Sequence, residues 1–240
     1  MIRYVFIFVW TTLATFIMSL VAICSAFFSR NGNGPHKIGT WWAKSILWVS
    51  GIRVQVKGIE NLDSERPCVF MCNHQSNFDI LVLFYALPAQ FRWIAKAELF
   101  KIPFFGRAMR GAGYISIERK ERRRAIQSLR EAADKIRSGV SVMIFPEGTR
   151  SPDGNIGEFK NGGFLLAYEA GVQIMPVVLN GTWSIMSKDS LRIQPGNVTL
   201  SILPPVSVKG YSKSEKTLLA EDVRGNMVAE FESNRALTEG

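Results

Sequence analysis

Cys68-Val69-Phe70-Met71-Cys72-Asn73-His74-Gln75-Ser76-Asn77-Phe78-Asp79-Ile80-Leu81-Val82-Leu83-Phe84 is the stretch that decides the fold. It opens on an apolar run of strand length and closes on an apolar run of helical character. Ser76 or Asn77 between them is a natural N-cap for the helix. Working outward, strand-like runs recur at Arg53–Lys57, Cys68–Cys72, Arg92–Ala95, Tyr114–Ile117, Ser141–Phe145, Ile174–Leu179 and Val198–Leu203. Helix-like runs separate them. Residues 120–138 set Ile126, Leu129, Ala133 and Ile136 on one face, with Gly139 as a C-terminal stop, and residues 160–170 end at Gly171 in the same way. A last helix covers Ser214–Leu237, with Leu218, Leu219, Val223, Met227, Val228 and Phe231 amid charges. Such alternation predicts an α/β fold, a mixed β-sheet covered by helices.

A chain of 240 residues suits one compact domain with a small appendage. With 47% hydrophobic and 20% charged residues it is neither disordered nor collagen-like. Its three cysteines, Cys24, Cys68 and Cys72, cannot close a disulfide framework, which indicates a reducing compartment. The C-x3-C spacing of Cys68 and Cys72 matches neither a redox pair nor half a zinc site, and both read as small buried hydrophobes. The alternative for Cys72 is a nucleophile beside His74. Histidine occurs only at His36 and His74, so a His-rich metal site is excluded. The net charge of +9 is uneven: +3 over residues 1–91, +8 over 92–150 and −2 over 151–240. A basic middle third suits a polyanion, an anionic membrane surface or a phosphorylated substrate, although a run such as Arg119–Arg124 also fits a solvated helix.

From Tyr4 to Phe28 there are 25 residues without a charge. As a helix they reach ~38 Å, more than a ~30 Å hydrocarbon core requires. A cleaved signal peptide normally has an apolar stretch of only about 7–15 residues. Arg3 precedes the segment, whereas Arg30, Lys37 and Lys44 follow it, an excess that predicts a cytoplasm-facing remainder. Trp41, Trp42 and Trp48 fit a helix at the headgroup level, or ordinary core packing. Residues 1–52 are thus expected to be a hydrophobic membrane-anchoring helical segment with an interfacial helix, and residues 53–240 the α/β domain.

There is no Gly-Lys dipeptide, no complete G-x-G-x-x-G and no G-x-S-x-G, so a P-loop, a dinucleotide fingerprint and a hydrolase nucleophile elbow are absent. What remains is Asn73–Asp79. On one continuous helix His74 and Asp79 would point about 140° apart, so they meet only if His74 lies in a loop and Asp79 in the first helical turn. The carboxylate then orients one ring nitrogen and leaves the other free as a base, with the nucleophilic alcohol arriving on the substrate. A structural histidine beside a helix cap is the competing interpretation. A second constellation, Phe145-Pro146-Glu147-Gly148-Thr149-Arg150, follows a strand at the end where open α/β sheets carry their sites. Pro146 and Gly148 shape a turn that aims Glu147 and Arg150 together, and Arg150 offers a planar fork for phosphate or carboxylate. Lys160 adds a second cation; a solvated turn with a surface ion pair is the alternative.

These blocks resemble the glycerolipid acyltransferases of the H-x4-D type, and look most like the bacterial 1-acyl-sn-glycerol-3-phosphate (lysophosphatidic acid) acyltransferases. Asn73–Asp79 matches the catalytic block and Gly113–Arg119 the second, which ends in a substrate-binding arginine. Phe145–Arg150 is the third block without change, and Ile174–Val178 is similar to the fourth, a proline-containing strand. Ala95–Leu99 and Ile102–Gly106 also fit, and the likeness covers roughly residues 67–205. Ser116–Glu118 departs from the aliphatic and aspartate residues of relatives. The resemblance implies that an acyl group moves from a thioester, acyl-CoA or acyl carrier protein, to the free hydroxyl of lysophosphatidic acid, giving phosphatidic acid. His74 and Asp79 would be catalytic; Glu147, Gly148, Thr149, Arg150, Arg119, Lys96 and Lys160 would bind substrate. It implies no metal or other cofactor, a lipid bilayer rather than nucleic acid as partner, and the cytoplasmic (inner) membrane as location. Alternatives are an acyltransferase for lyso-ornithine lipid or another lysophospholipid, and a non-catalytic protein that binds anionic lipids.

Overall fold

The structure, a computed structural model, describes residues 2–29, 31–63, 65–118 and 122–239. Two helices open the chain, α1 (Ile2–Phe28) and α2 (Asn33–Ser50). The strands are β1 (Ile52–Lys57), β2 (Val69–Cys72), β3 (Phe91–Lys96), β4 (Ile115–Ile117), β5 (Ser141–Ile144), β6 (Ile174–Asn180) and β7 (Gly196–Ile202). Between and after them run α3 (Phe78–Ala86), α4 (Phe105–Gly111), α5 (Arg122–Arg137), α6 (Gly162–Ala170), the short α7 (Thr182–Ile185) and α8 (Lys216–Glu239). Each expected strand is present to within two residues. The expected stops at Gly139 and Gly171 are left-handed glycines after α5 and α6.

The seven strands form one sheet in the order β1-β7-β6-β2-β5-β3-β4, parallel throughout except where β6 meets β7. Alternation along each strand splits the core in two. Phe70, Cys72, Phe91, Trp93, Met143, Met175 and Leu179 face α2 and α3. Val69, Met71, Val142, Ile144, Ile174 and Val178 face α5, α6 and α8. A sheet buried on both faces reads as continuous apolar runs, which is why these strands are so plain in sequence.

From β2 the chain crosses one face to β3, beyond β5. From β5 it crosses the opposite face to β6, on the far side of β2. Neighbouring parallel strands whose connections leave in opposite directions open a crevice at their carboxyl ends, where α/β sheets place ligands.

The tryptophans of α2 divide between two roles. Trp41 and Trp48 are exposed. Trp42 instead packs edge-on to Phe84 and donates its indole N–H to Thr15 Oγ1 of α1 at 3.0 Å. Ala43, Ile46 and Leu47 of α2 sit in the same core as α3. α1 lies antiparallel to α2: Arg3 Nη2 donates to Ser50 O at one end, and Ala26 abuts Gly111 of α4 at the other. Buried Arg92 ties the turn between α1 and α2 to β3, through bonds to Asn31 O and Asn33 Oδ1 of 2.7 and 2.6 Å.

Candidate functional site

The parallel register pairs Met71 with Ile144, and carrying it three residues further sets His74 across from Glu147. Asn73, fully buried, holds the end of β2 in line. Its amide donates to Leu179 O and its carbonyl accepts from Leu179 N, at 2.9 and 2.8 Å, as a strand partner would. The next four residues form a loop wound around one carboxylate oxygen. Asp79 Oδ2 accepts the backbone N–H groups of Gln75 and Ser76 at 2.7 and 2.8 Å and faces His74 Nδ1 at 2.7 Å. His74 therefore lies in the loop and Asp79 in the first turn of α3, the arrangement the spacing requires. Asn77 occupies the N-cap position without a side-chain bond; Ser76 Oγ takes the N–H of Phe78 instead.

Asp79 is fully buried, and its Oδ1 accepts nothing among the described residues. With Oδ2 committed to three donors, the imidazole is held by Nδ1 and its Nε2 has no protein partner among the described residues. Phe145 lies flat against the ring, centroids 3.9 Å apart and planes within 8°, with Trp93 behind it at 5.5 Å. Glu147 reaches the same loop from β5: Oε1 accepts His74 N at 2.7 Å and Oε2 accepts Gly157 N at 3.0 Å. Burial pushes its carboxyl above the ordinary glutamate range, opposed by those two backbone bonds. Ser151 N donates to His74 O at 2.7 Å, so residues 147 and 151 grip the histidine's peptide from both sides.

Among the described residues, no nucleophile stands beside the imidazole. Ser76 Oγ donates to Met186 O and Ser151 Oγ to Asp153 Oδ1. Cys72 is fully buried, and desolvation, with Asp79 and Glu147 nearby, pushes its thiol well up. Burial likewise takes Cys68 up to about 12. All three cysteines are free. His36 is removed from contention: its ring is enclosed by Phe84, Phe91 and Tyr114, and burial with Arg92 alongside pushes it down to about 3. It is a neutral core side chain.

Of the residues expected to bind substrate, Glu147 contacts the histidine loop directly. Gly148, in the left-handed region at φ 73°, has its open side against the Lys160 side chain, and Lys160 N donates to Pro146 O at 2.9 Å. Thr149 is exposed. Arg150 is half-buried and makes no ion pair or hydrogen bond among the described residues. Lys96 ends β3, one strand beyond β5, and is exposed. Arg119 lies outside the described residues. No group of three or more His, Cys, Asp or Glu side chains among the described residues suits a metal ion.

Phe145 and Gln75 stood in the quoted blocks without a role of their own, and Gly157 lay outside them, though each touches this site. Gln75 Nε2 bonds Gly154 O and its Oε1 accepts from Thr182 Oγ1, tying the histidine loop to residues 151–157 and to α7. Phe145 stood in the quoted turn block, but its stacking on His74 depends on β2 and β5 being neighbours.

Residues 53–180, more than half of the chain, match the model of the Acyltransferase family. A 1-acyl-sn-glycerol-3-phosphate acyltransferase of Pseudomonas aeruginosa is 33% identical over 210 residues, covering 85% of this chain and 77% of that one. A chloroplastic enzyme of the same name from Brassica napus is 38% identical over 197 residues, 81% of this chain and 55% of that one. This chain spans about half the length of such chloroplast relatives. The crystal structure of the 1-acyl-sn-glycerophosphate (LPA) acyltransferase PlsC from Thermotoga maritima superposes with a TM-score of 0.84 at 30% identity, covering 98% of this chain and 95% of that one. The crevice between β2 and β5 is thus set in a fold shared with that protein, and the chain belongs to the acyltransferase family.

Proposed function

We propose that this chain transfers a fatty acyl group from an acyl thioester to the free hydroxyl of 1-acylglycerol-3-phosphate, giving phosphatidic acid. The observation that carries the reading is His74, held at Nδ1 by Asp79 at 2.7 Å, with no partner on Nε2 and no nucleophile beside it among the described residues. Such a base serves an alcohol brought by the acceptor. The acceptor oxygen attacks the thioester carbonyl as its proton passes to His74 Nε2. The new C–O ester bond forms, the C–S bond breaks, and the departing thiolate recovers the proton from the imidazolium. Asp79 stabilises that cation and fixes the ring. Glu147 positions the His74 peptide, while Arg150 and Lys160 hold the phosphate, with Arg119 and Lys96 as further cations. The same chemistry accepts acyl-CoA or acyl carrier protein as donor.

A membrane seat follows from the substrates and from α1, a helix long and apolar enough to cross a membrane. Because α1 packs along its length on α2 and α4, its exposed apolar face meets the lipid while the other carries the domain. The basic excess after α1 favours the cytoplasmic side of the inner membrane.

The test is turnover by the purified full chain with lysophosphatidic acid, its dephosphorylated monoacylglycerol and lyso-ornithine lipid, each with both donor types. Lysophosphatidic acid should be strongly preferred, and His74→Ala should remove the activity. Equal kcat/KM for the phosphorylated and dephosphorylated acceptors would sink the phosphate assignment, and preference for lyso-ornithine lipid would move the reading to that acceptor.

A further inference from the structure

Between β3 and α4 the chain turns through Ile102-Pro103-Phe104 in a way that water does not favour. Phe104 has φ 61°, the sole non-glycine residue with a positive φ among the described residues. Phe105 N donates to Pro103 O at 2.6 Å, closing a three-residue γ-turn on Phe104, a strained form. Glycine would relieve that strain. Instead a large aromatic ring stands there 40% exposed, beside Ile102 at 47% and an exposed Pro103. Strain of this kind persists when the surroundings hold it, and it gathers where a side chain must be presented. Here Arg110 Nη1 on Phe100 O and Gly106 N on Ile102 O, both at 2.8 Å, pin the turn from behind.

The tip adjoins the apolar face of α1. Phe104 meets Phe16 edge to face at 5.3 Å, and Phe16, Leu13, Ile17 and Leu20 are themselves exposed. Lys101 and Arg107 flank the tip and are exposed, and residues 96–110 carry four cations against the single Glu98. An apolar tip with a cationic rim, continuous with a lipid-facing helix, matches the interfacial layer of an anionic bilayer.

We infer that Ile102–Phe104 is a second membrane-inserting element, which seats its apolar tip beside α1 among the acyl chains while Lys101 and Arg107 bind anionic headgroups. The inference rests on the membrane seat of α1 proposed above and gives it a fixed depth and tilt, since two separate elements must enter the bilayer together.

The test is nitroxide labelling of the full chain in vesicles of phosphatidylethanolamine and phosphatidylglycerol. Exposed Cys24 is replaced by serine, and buried Cys68 and Cys72 remain unlabelled. Single cysteines are placed at Ile102, Phe104, Phe8 on the exposed side of α1, and Leu191, an exposed apolar residue remote in sequence from both elements. Positions 102 and 104 should match position 8, with access to oxygen and little to a water-soluble nickel chelate, while position 191 reports water. If position 8 reports lipid but 102 and 104 report water, the second element is overturned and the seat of α1 stands. If all four report water, both fall. In a second arm, Lys101→Glu with Arg107→Glu should weaken binding to phosphatidylglycerol vesicles roughly tenfold or more, with little change on phosphatidylcholine. Phe104→Gly, which relaxes the turn, should keep the fold yet weaken vesicle binding several-fold; unchanged affinity in either variant overturns the inference.

Discussion

The imidazole of His74 and the phenyl ring of Phe145 lie parallel, 3.9 Å apart, although they stand 71 positions apart in the chain. They are brought together by the pairing of β2 with β5, and the stack fixes the plane in which His74 presents Nε2. When the ring takes up a proton it becomes a cation over a π face, an attraction of about 1–2 kcal/mol in a partly desolvated site. Phe145→Leu should therefore lower kcat roughly 5- to 30-fold with little change in acceptor KM. Phe145→Tyr should keep most of the rate. Steady-state kinetics on both variants checks this, and a Leu variant with wild-type kcat would remove the stack from the mechanism.

Asp79→Asn retains the size of the side chain but removes the charge that steadies the imidazolium. Turnover should fall roughly 10²- to 10⁴-fold while the circular dichroism spectrum stays native, as for loss of an oriented base. Turnover within a few-fold of wild type would assign the 2.7 Å contact to structure alone.

Glu147 and Arg150 should separate in kinetics. Glu147 spends both oxygens on backbone N–H groups, so Glu147→Gln sets an amide donor against one of them and displaces the His74 loop. An unmet buried polar group costs about 1–3 kcal/mol, and kcat should fall about tenfold or more with acceptor KM nearly unchanged. Stability carries a pH signature as well. The folded carboxyl is raised by burial, so folding binds that proton more tightly than the unfolded chain does. The stabilisation is full below the ordinary glutamate range and is lost as pH rises through the raised folded value. The Tm of the wild type minus that of Glu147→Gln should therefore fall as pH rises above the ordinary glutamate range.

Arg150→Ala should act on binding. A charge-assisted contact to phosphate is worth about 1.5–3 kcal/mol, so acceptor KM should rise roughly 10- to 150-fold with a much smaller change in donor KM. Arg150→Lys should recover only part, because an ammonium keeps the charge but loses the fork. A KM unchanged in the alanine variant would leave the phosphate to Lys160 and its neighbours.

Removing residues 1–28 should release the chain from membranes and also destabilise it. α1 contributes Thr15 to Trp42, Phe16 to Phe104, and Ala22 to the contact with Ile38 and Ala108. With about 1 kcal/mol shifting Tm by roughly 2–4 °C in a chain of this size, a fall of several degrees is expected in thermal melts. The motif blocks all lie beyond Pro67, so the truncated chain should keep measurable turnover on detergent-dispersed acceptor.

The sequence by itself determined what depends on near neighbours. Buried strands write themselves as apolar runs, amphipathic helices as a 3.6-residue period, and helix ends as glycines, so every strand and the stops at Gly139 and Gly171 could be read directly. Five residues of spacing sufficed to link His74 with Asp79, because a loop followed by one helical turn closes that distance. Only the tertiary structure decided which strands lie side by side, since hydrogen bonding between strands carries no local mark. That order gave Glu147 its backbone partner at His74 and laid Phe145 on the imidazole. It also divided roles that composition left equal: Trp42 went into the packing while Trp48 stayed 80% exposed, and His36 was enclosed while His74 was left at the crevice. Each of those outcomes rests on contacts between residues far apart in sequence, and such contacts exist only once the chain has folded.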